Sequence, residues 1–458
     1  MKPHKILLSF TFVVVVLALL CILFPEDGIQ IGKLTLRMPT LKEAMHNTET
    51  LPIEVIEDTI DSTTVLSKRD SILLAQSKDS ARFWYPNDDI DFFKPLYEKL
   101  STAQQKGKVI RILHYGDSQI EMDRMTNRIR QLLQSEFGGG GPGLQPLAPI
   151  IPSATVSHYT SITPQRQSPF GDSLVVRAKG NYGPMTQSFR IEGPISATFK
   201  NRNDDASMNM RRVKLLFSNR PGGVTATLHW KDNNGKWQNE TEQSINEPGV
   251  YALEWLLDSA VNQVRINLNG TGDAYGVMLD ERAGVAVDNI PMRGCSGQQF
   301  CQINKEQLTA AYSQMDVGLI ILQFGGNSVP YLRNEKSLQG YCNEIGRQID
   351  RLHECCPEAT ILFVGPSDMS ERRNGRWETY AYMEQIIEGL KNTVLQHGAA
   401  YWSIYHAMGG NGSMDRWNQQ SLAGVDHVHF SQKGADLMGD RLAQALLKAF
   451  HLIKEQEQ

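Results

Sequence analysis

Five short apolar runs constrain this chain more than any other feature: "VIRILHYG" (109–116), "GVAVDNI" (284–290), "VGLIILQFG" (317–325), "ATILFVG" (359–365) and "AAYWSIY" (399–405). None alternates apolar with polar residues, so none suits a sheet with one face in water. Such runs belong to strands buried on both faces, the situation of a parallel sheet covered by helices. The intervening stretches carry helical periodicity: "IEMDRMTNRIRQLLQSEF", "QQFCQINKEQLTAAYSQM", "LQGYCNEIGRQIDRLHEC", "TYAYMEQIIEGLKNTVLQHG" and "KGADLMGDRLAQALLKAFHLI". The alternation predicts an α/β domain with a five-stranded parallel sheet and helices on both faces.

One interval interrupts it. From 168 to 280 the chain shows little helical period, and segments such as "ISATFK", "RRVKLLFS", "GVTATLHW" and "NQVRINLN" are separated by Gly, Asn, Asp and Pro. Short strands at this spacing predict an inserted β-sandwich. The α/β domain is then split into 82–167 and 281–458. "FGGGGPG" (137–143) is no phosphate loop, because no Gly-Lys-Ser/Thr follows. Trp230, Trp237 and Trp255 are read as core or edge packing.

The N-terminus has its own character. "MKPHK" precedes an uninterrupted apolar segment, Ile6 to Phe24, long enough to span a bilayer, and "PEDGIQ" follows without a small-residue cleavage site. Residues 1–25 are therefore read as a retained single-pass anchor. Lys2 and Lys5 before it, against Glu26 and Asp27 after it, place the body outside the inner membrane. Residues 26–81, rich in Thr, Ser and charge, read as a stalk. The net charge of -4 gives no basic face for nucleic acid. Beyond the span, Cys342 and Cys355 fall on one helix about 20 Å apart and cannot bridge; Cys295 with Cys301 is sterically possible.

A sheet of this class gathers ligands at the C-terminal ends of its strands. The first strand ends in "GDS", the second runs into "RGCSGQQ", the third into "GGNS", and after the fifth comes "DHVHFSQKG". Each type has a task in acyl transfer. A Ser118 hydroxyl needs a base, which His429 supplies if Asp426 holds its other ring nitrogen. The developing oxyanion needs donors, available from the backbone N–H groups of Ser118 and Gly297 and the amide of Asn327. His427 with His429 lacks a third ligand at metal spacing. His114 and Tyr115 are read as packing beside the site.

The stretches "GDSQ", "CSGQQ", "FGGN" and "DHVH" resemble, in order, the four blocks of the SGNH (GDSL-type) esterase superfamily, over roughly 108–150 and 283–450. The resemblance implies a flavodoxin-like three-layer fold, Ser118 as nucleophile, Asp426 and His429 completing a triad, and Gly297 and Asn327 as oxyanion donors. Gly297 is preferred to Gly294 because it follows Ser as in the family block. Ser328 departs from the Asp found in many members. With the inserted β-region and the anchor, the likeness narrows to bacterial envelope enzymes that handle O-acetyl groups of peptidoglycan or other polysaccharides. In some of these a carbohydrate-binding-like β-domain interrupts the SGNH domain, and a membrane-bound O-acyltransferase works alongside. The implied activity is a metal-free, cofactor-free serine esterase acting on an acylated glycan; the alternatives are an O-acetyltransferase on the same chemistry and an inactive glycan-binding protein.

Overall fold

The computed structural model describes residues 29–31, 34–36 and 81–457, apart from 172–174, 178–179, 203–204 and 233. The chain divides into two units, 1–65 and 66–458. In the first, Ile29–Ile31 pairs antiparallel with Leu34–Leu36. The expected anchor, 1–25, lies outside the described residues, as does most of the stalk. Among the described residues no helix is long and apolar enough to cross a membrane.

In the second unit the strands are β1 (Phe83–Trp84), β2 (Val109–Gly116), β3 (Met210–Lys231), β4 (Gln263–Asp280), β5 (Gly284–Pro291), β6 (Val317–Gln323), β7 (Thr360–Gly365) and β8 (Ala400–Ser403), with minor strands given by residue number. The five expected runs form a sheet in the order β5-β2-β6-β7-β8, all parallel. The sheet is mixed rather than purely parallel, because β1 adds a sixth strand antiparallel to β8, Tyr401 opposite Trp84. Two residues are too short to show a period, yet they cover an edge that would otherwise present unpaired backbone.

Every residue of β2 and β6 is buried, which is why these strands do not alternate in the sequence. Their two faces feed two cores. Leu113, Tyr115, Ile320 and Leu322 pack against α3 (Lys305–Tyr312), α4 (Glu335–Cys355) and α5 (Met383–Gln396). Ile110, Ile112, Leu319 and Ile321 pack against α1 (Lys94–Thr102), α2 (Thr126–Phe137) and α6 (Gln432–Glu457). Each such side chain contributes about 1.5–3 kcal/mol by leaving water. The five described cysteines are free thiols, Cys295 buried and Cys301 exposed.

Where a sandwich is expected, ten strands are hydrogen-bonded into one continuous sheet. β3 and β4 pair from Arg212/Asp280 to Trp230/Val264 with a register shift between Asn219 and Val224. Val213, Leu215 and Phe217 before the shift, and Val224, Ala226 and Leu228 after it, enter a single core. The sheet also recruits Gly143–Gln145 and Val156–Thr160, ahead of the expected boundary at 168. Its other face is not free: Leu144, Leu216, Tyr275 and Met278 join the core beneath α3 and α4. Arg111 on β2 fastens the two sheets, donating to Asp288 (2.7 and 2.9 Å) and to Asp280, all three buried. Trp255 is buried and Trp230 packs on the sheet core, while Trp237 lies half-buried under the Arg265 guanidinium at 4.3 Å.

Candidate active site

β2 ends at Gly116, where an added Cβ would stand 3.0 Å from the Ile120 side chain and 3.2 Å from the Gln323 carbonyl. This close approach delivers Asp117 and Ser118 to the sheet's C-terminal edge. The Asp117 carboxylate accepts from Gln119 N–H (3.0 Å), opening a tight stretch over Ser118–Asp123 that is kinked at Glu121 and Met122. The helix expected from Ile120 begins only at Thr126. Met122 and Asp123 have φ of 61° and 64°. Side-chain bonds hold this shape: buried Asp123 accepts from Arg130 in the following helix at 2.7 and 3.0 Å and from distant Thr155 at 2.8 Å, and Glu121 pairs with distant Arg293. Ser118 therefore does not sit on the N-terminus of α2.

The four sequence stretches meet at one edge. Ser118 Oγ lies 2.8 Å from His429 Nε2, and His429 Nδ1 lies 2.7 Å from Asp426 Oδ2. The other carboxylate oxygen, Oδ1, accepts from the Val428 and His429 N–H groups, both at 3.1 Å. Three residues suffice for this turn because His427 takes φ 54°. Burial pushes the Asp426 carboxyl up, but the bonds from the His429 ring and from the His429 and Val428 N–H groups outweigh it and hold the carboxyl below its ordinary value. His427 is buried and stacks on Trp377 at 4.0 Å, away from this chain of bonds. His114 is a core residue: it bonds Gln323 at 3.0 Å and Thr126 at 2.9 Å, and burial pushes its pKa down to about 4. Tyr115 donates to the Pro184 carbonyl at 2.6 Å.

A cleft of about 670 Å³ opens over Ser118 and His429. Every strand end of the parallel sheet lines it: Gly294 after β5, Asn327 after β6, Ser367 after β7 and Ile404 after β8. No described residue of 143–280 does. Gly297 does not line it either. It is buried, with φ 82°, against the Phe324 ring, which an added Cβ would approach to 2.8 Å. Exposed Gly294 occupies the cleft instead. The Asn327 amide nitrogen donates to Asp117 Oδ2 (3.1 Å) and to the Cys295 carbonyl (3.0 Å).

Three contributors were not singled out from sequence. Asp117 stands there inside "GDS" without a role of its own, yet it holds Asn327. Gln119 and Arg124 look like helix-surface residues, but both reach the His429 turn. Arg124 donates to the Ser118 and Phe430 carbonyls at 2.9 Å each.

Residues 258–437 match the GDSL-like Lipase/Acylhydrolase family. The matched span holds Asn327, Asp426 and His429; Ser118 lies outside it, separated in sequence by the antiparallel sheet. A solved peptidoglycan O-acetylesterase covers 78% of this chain and 96% of its own length at 23% identity, with a TM-score of 0.64. By the family match over 258–437 and by its fold, the α/β body is similar to the SGNH (GDSL-type) hydrolases. A family two carbohydrate esterase from Cellvibrio japonicus covers 65% of this chain and 99% of its own at 11% identity, with a TM-score of 0.26. No curated protein matches the chain.

Proposed function

We propose that this protein is a serine esterase that removes O-acetyl groups from a cell-envelope glycan through an acyl intermediate on Ser118. The observation that carries this reading is the unbroken chain from Ser118 Oγ to His429 Nε2 (2.8 Å) and from His429 Nδ1 to Asp426 Oδ2 (2.7 Å), open to a cleft. His429 Nε2 takes the Ser118 proton as Oγ attacks the ester carbonyl. Asp426 accepts from Nδ1–H and stabilises the imidazolium that forms. The oxyanion develops beside the backbone N–H groups of Ser118 and Gly294, with Gly294 taking the part expected of Gly297. Asn327 shares one of its amide hydrogens with that oxygen in a three-centre bond. As the carbonyl re-forms, the C–O bond to the sugar breaks and the sugar oxygen takes the proton from His429. Water then attacks the acetyl-serine with His429 as base, releasing acetate and restoring Ser118.

The likeness to a peptidoglycan O-acetylesterase supports a glycan ester as substrate. So does Tyr331, a cleft-lining ring that is 78% exposed and offers a flat apolar face to a sugar. The Ile6–Phe24 segment, as a retained anchor, would hold this activity at the outer side of the inner membrane, within reach of a membrane-bound O-acyltransferase.

The test is incubation of the full-length protein with acetylated peptidoglycan, with and without an unacetylated glycan acceptor, followed by mass measurement of acetate and acetylated sugar. The reading expects free acetate in both cases. Acetylated acceptor as the dominant product would replace it with the transferase reading, and neither product would leave a glycan-binding role.

A further inference from the structure

We propose that Gln119 is a positioning residue that locks the His429 imidazole onto Ser118. The proposal rests on the reading of Ser118 and His429 as nucleophile and base. The Gln119 amide nitrogen donates to the Val428 carbonyl at 2.7 Å, and its amide oxygen accepts from the Phe430 N–H at 3.1 Å. Those two groups belong to the peptide units on either side of His429. One planar carboxamide, on the residue that follows Ser118 in sequence, therefore grips the backbone before and after the base.

The clamp has a rigid footing. Gln119 is 9% exposed, and its own N–H is fixed by Asp117 at 3.0 Å. The segment it holds has no regular structure, since α6 begins only at Gln432. Within that segment Gly424 N–H reaches the His429 carbonyl at 2.7 Å, a bond internal to the turn. Besides the Ser118–His429 bond itself, the bonds that cross to the nucleophile's segment come from Gln119 and from Arg124. A displacement of about 1 Å in a catalytic pair costs on the order of a hundredfold in rate. The Ser118–His429 distance thus depends on what holds the turn against β2.

Two variants of similar shape test the idea. Gln119→Met removes both bonds; Gln119→Glu keeps an acceptor for Phe430 but sets a carboxylate oxygen against the Val428 carbonyl. With a small aryl acetate, both are expected to lower kcat by about ten- to a hundredfold with KM within about twofold, and to slow phosphonylation of Ser118 by a fluorophosphonate in parallel. A residue that merely supports the fold would lower the melting temperature and leave kcat per folded molecule unchanged. Folded Gln119→Met with kcat within twofold of the unaltered protein would overturn the proposal. Ser118→Ala, assayed alongside, separates the failures: retained turnover there would sink the esterase reading itself, whereas an inactive Ser118→Ala beside a fully active Gln119→Met would sink only the clamp. Should both variants fail to fold, hydrogen exchange on the unaltered protein decides. The Phe430 amide is expected to exchange at least about a hundredfold more slowly than in an unstructured peptide, and exchange at the unprotected rate would contradict the clamp.

Discussion

At the scale of single residues, the account distinguishes histidines two positions apart. His429→Ala should remove ester turnover by several powers of ten, as should Ser118→Ala, because members of a triad act as a unit. His427→Ala should keep turnover and lose thermal stability, since its ring packs on Trp377. A reversal of that order in an aryl acetate assay would move the base. Asn327→Ala is expected to lower kcat by about a hundred- to a thousandfold with little change in KM, the usual cost of one oxyanion donor. An unchanged kcat would leave Asn327 as a residue that only ties Asp117 to Cys295. Asp117 gives a prediction in pH. Burial pushes its carboxyl up to about 6, Glu121 adding to the rise while the Gln119 N–H, His429 and Asn327 oppose it. The native state thus keeps a proton that the unfolded chain has released. The resulting stabilisation is complete below about pH 3.8 and is lost as pH rises through about 6. Buried His114, lowered to about 4, works in the opposite direction over part of this window, so the comparison must be a difference. Urea unfolding of the protein and of Asp117→Asn at pH 4 and pH 7 should show the unaltered protein losing about 2 kcal/mol relative to the variant. A pH-independent difference would contradict the assignment.

At the scale of elements, the segment between β2 and α2 is shaped by charges rather than by local preference. Asp123→Ala leaves Arg130 buried without its carboxylate and should cost about 3–5 kcal/mol in chemical denaturation. A loss below about 1 kcal/mol would mean that the turn holds itself. This same segment marks where the sequence stops being legible. "VIRIL" and "VGLIIL" announce buried strands because both faces of each are covered; the ends of β2 and β6 carry Ser118 and Asn327 to one edge, where the turn before α6 brings Asp426 and His429. The late start of α2 could not be read from "IEMDRM", whose apolar spacing is helical, because Glu121 and Asp123 bond to Arg293 and Thr155 far along the chain. Nor does spacing distinguish Gly294 from Gly297; only the packing of Phe324 on Gly297 does. The hairpin Ser370–Arg373 with Arg376–Thr379 did leave a signal, the Asn374-Gly375 pair, with φ of 47° and 82° as a tight primed turn requires.

At the scale of the whole molecule, the antiparallel sheet is part of the body that carries the site. Leu216, Tyr275 and Met278 fill the core beneath α3 and α4, and Asp280 neutralises Arg111 together with Asp288. Replacing 168–280 with a short linker would uncover that core, so the excised protein should melt well below the full chain in circular dichroism. An unchanged melting temperature would show the two sheets to be energetically independent. Since no described residue of 143–280 lines the cleft, the sheet can influence small esters only indirectly, through this shared core and through the Thr155–Asp123 bond beside the nucleophile. The central claim concerns the cleft itself, and it is tested most directly by trapping the intermediate. The full-length protein is mixed with excess aryl acetate, quenched in acid within the first turnovers, digested, and its peptides are weighed. The account predicts one added acetyl group on Ser118, absent from Ser118→Ala. Turnover with no acetyl on Ser118, or with the acetyl on another residue, would contradict it.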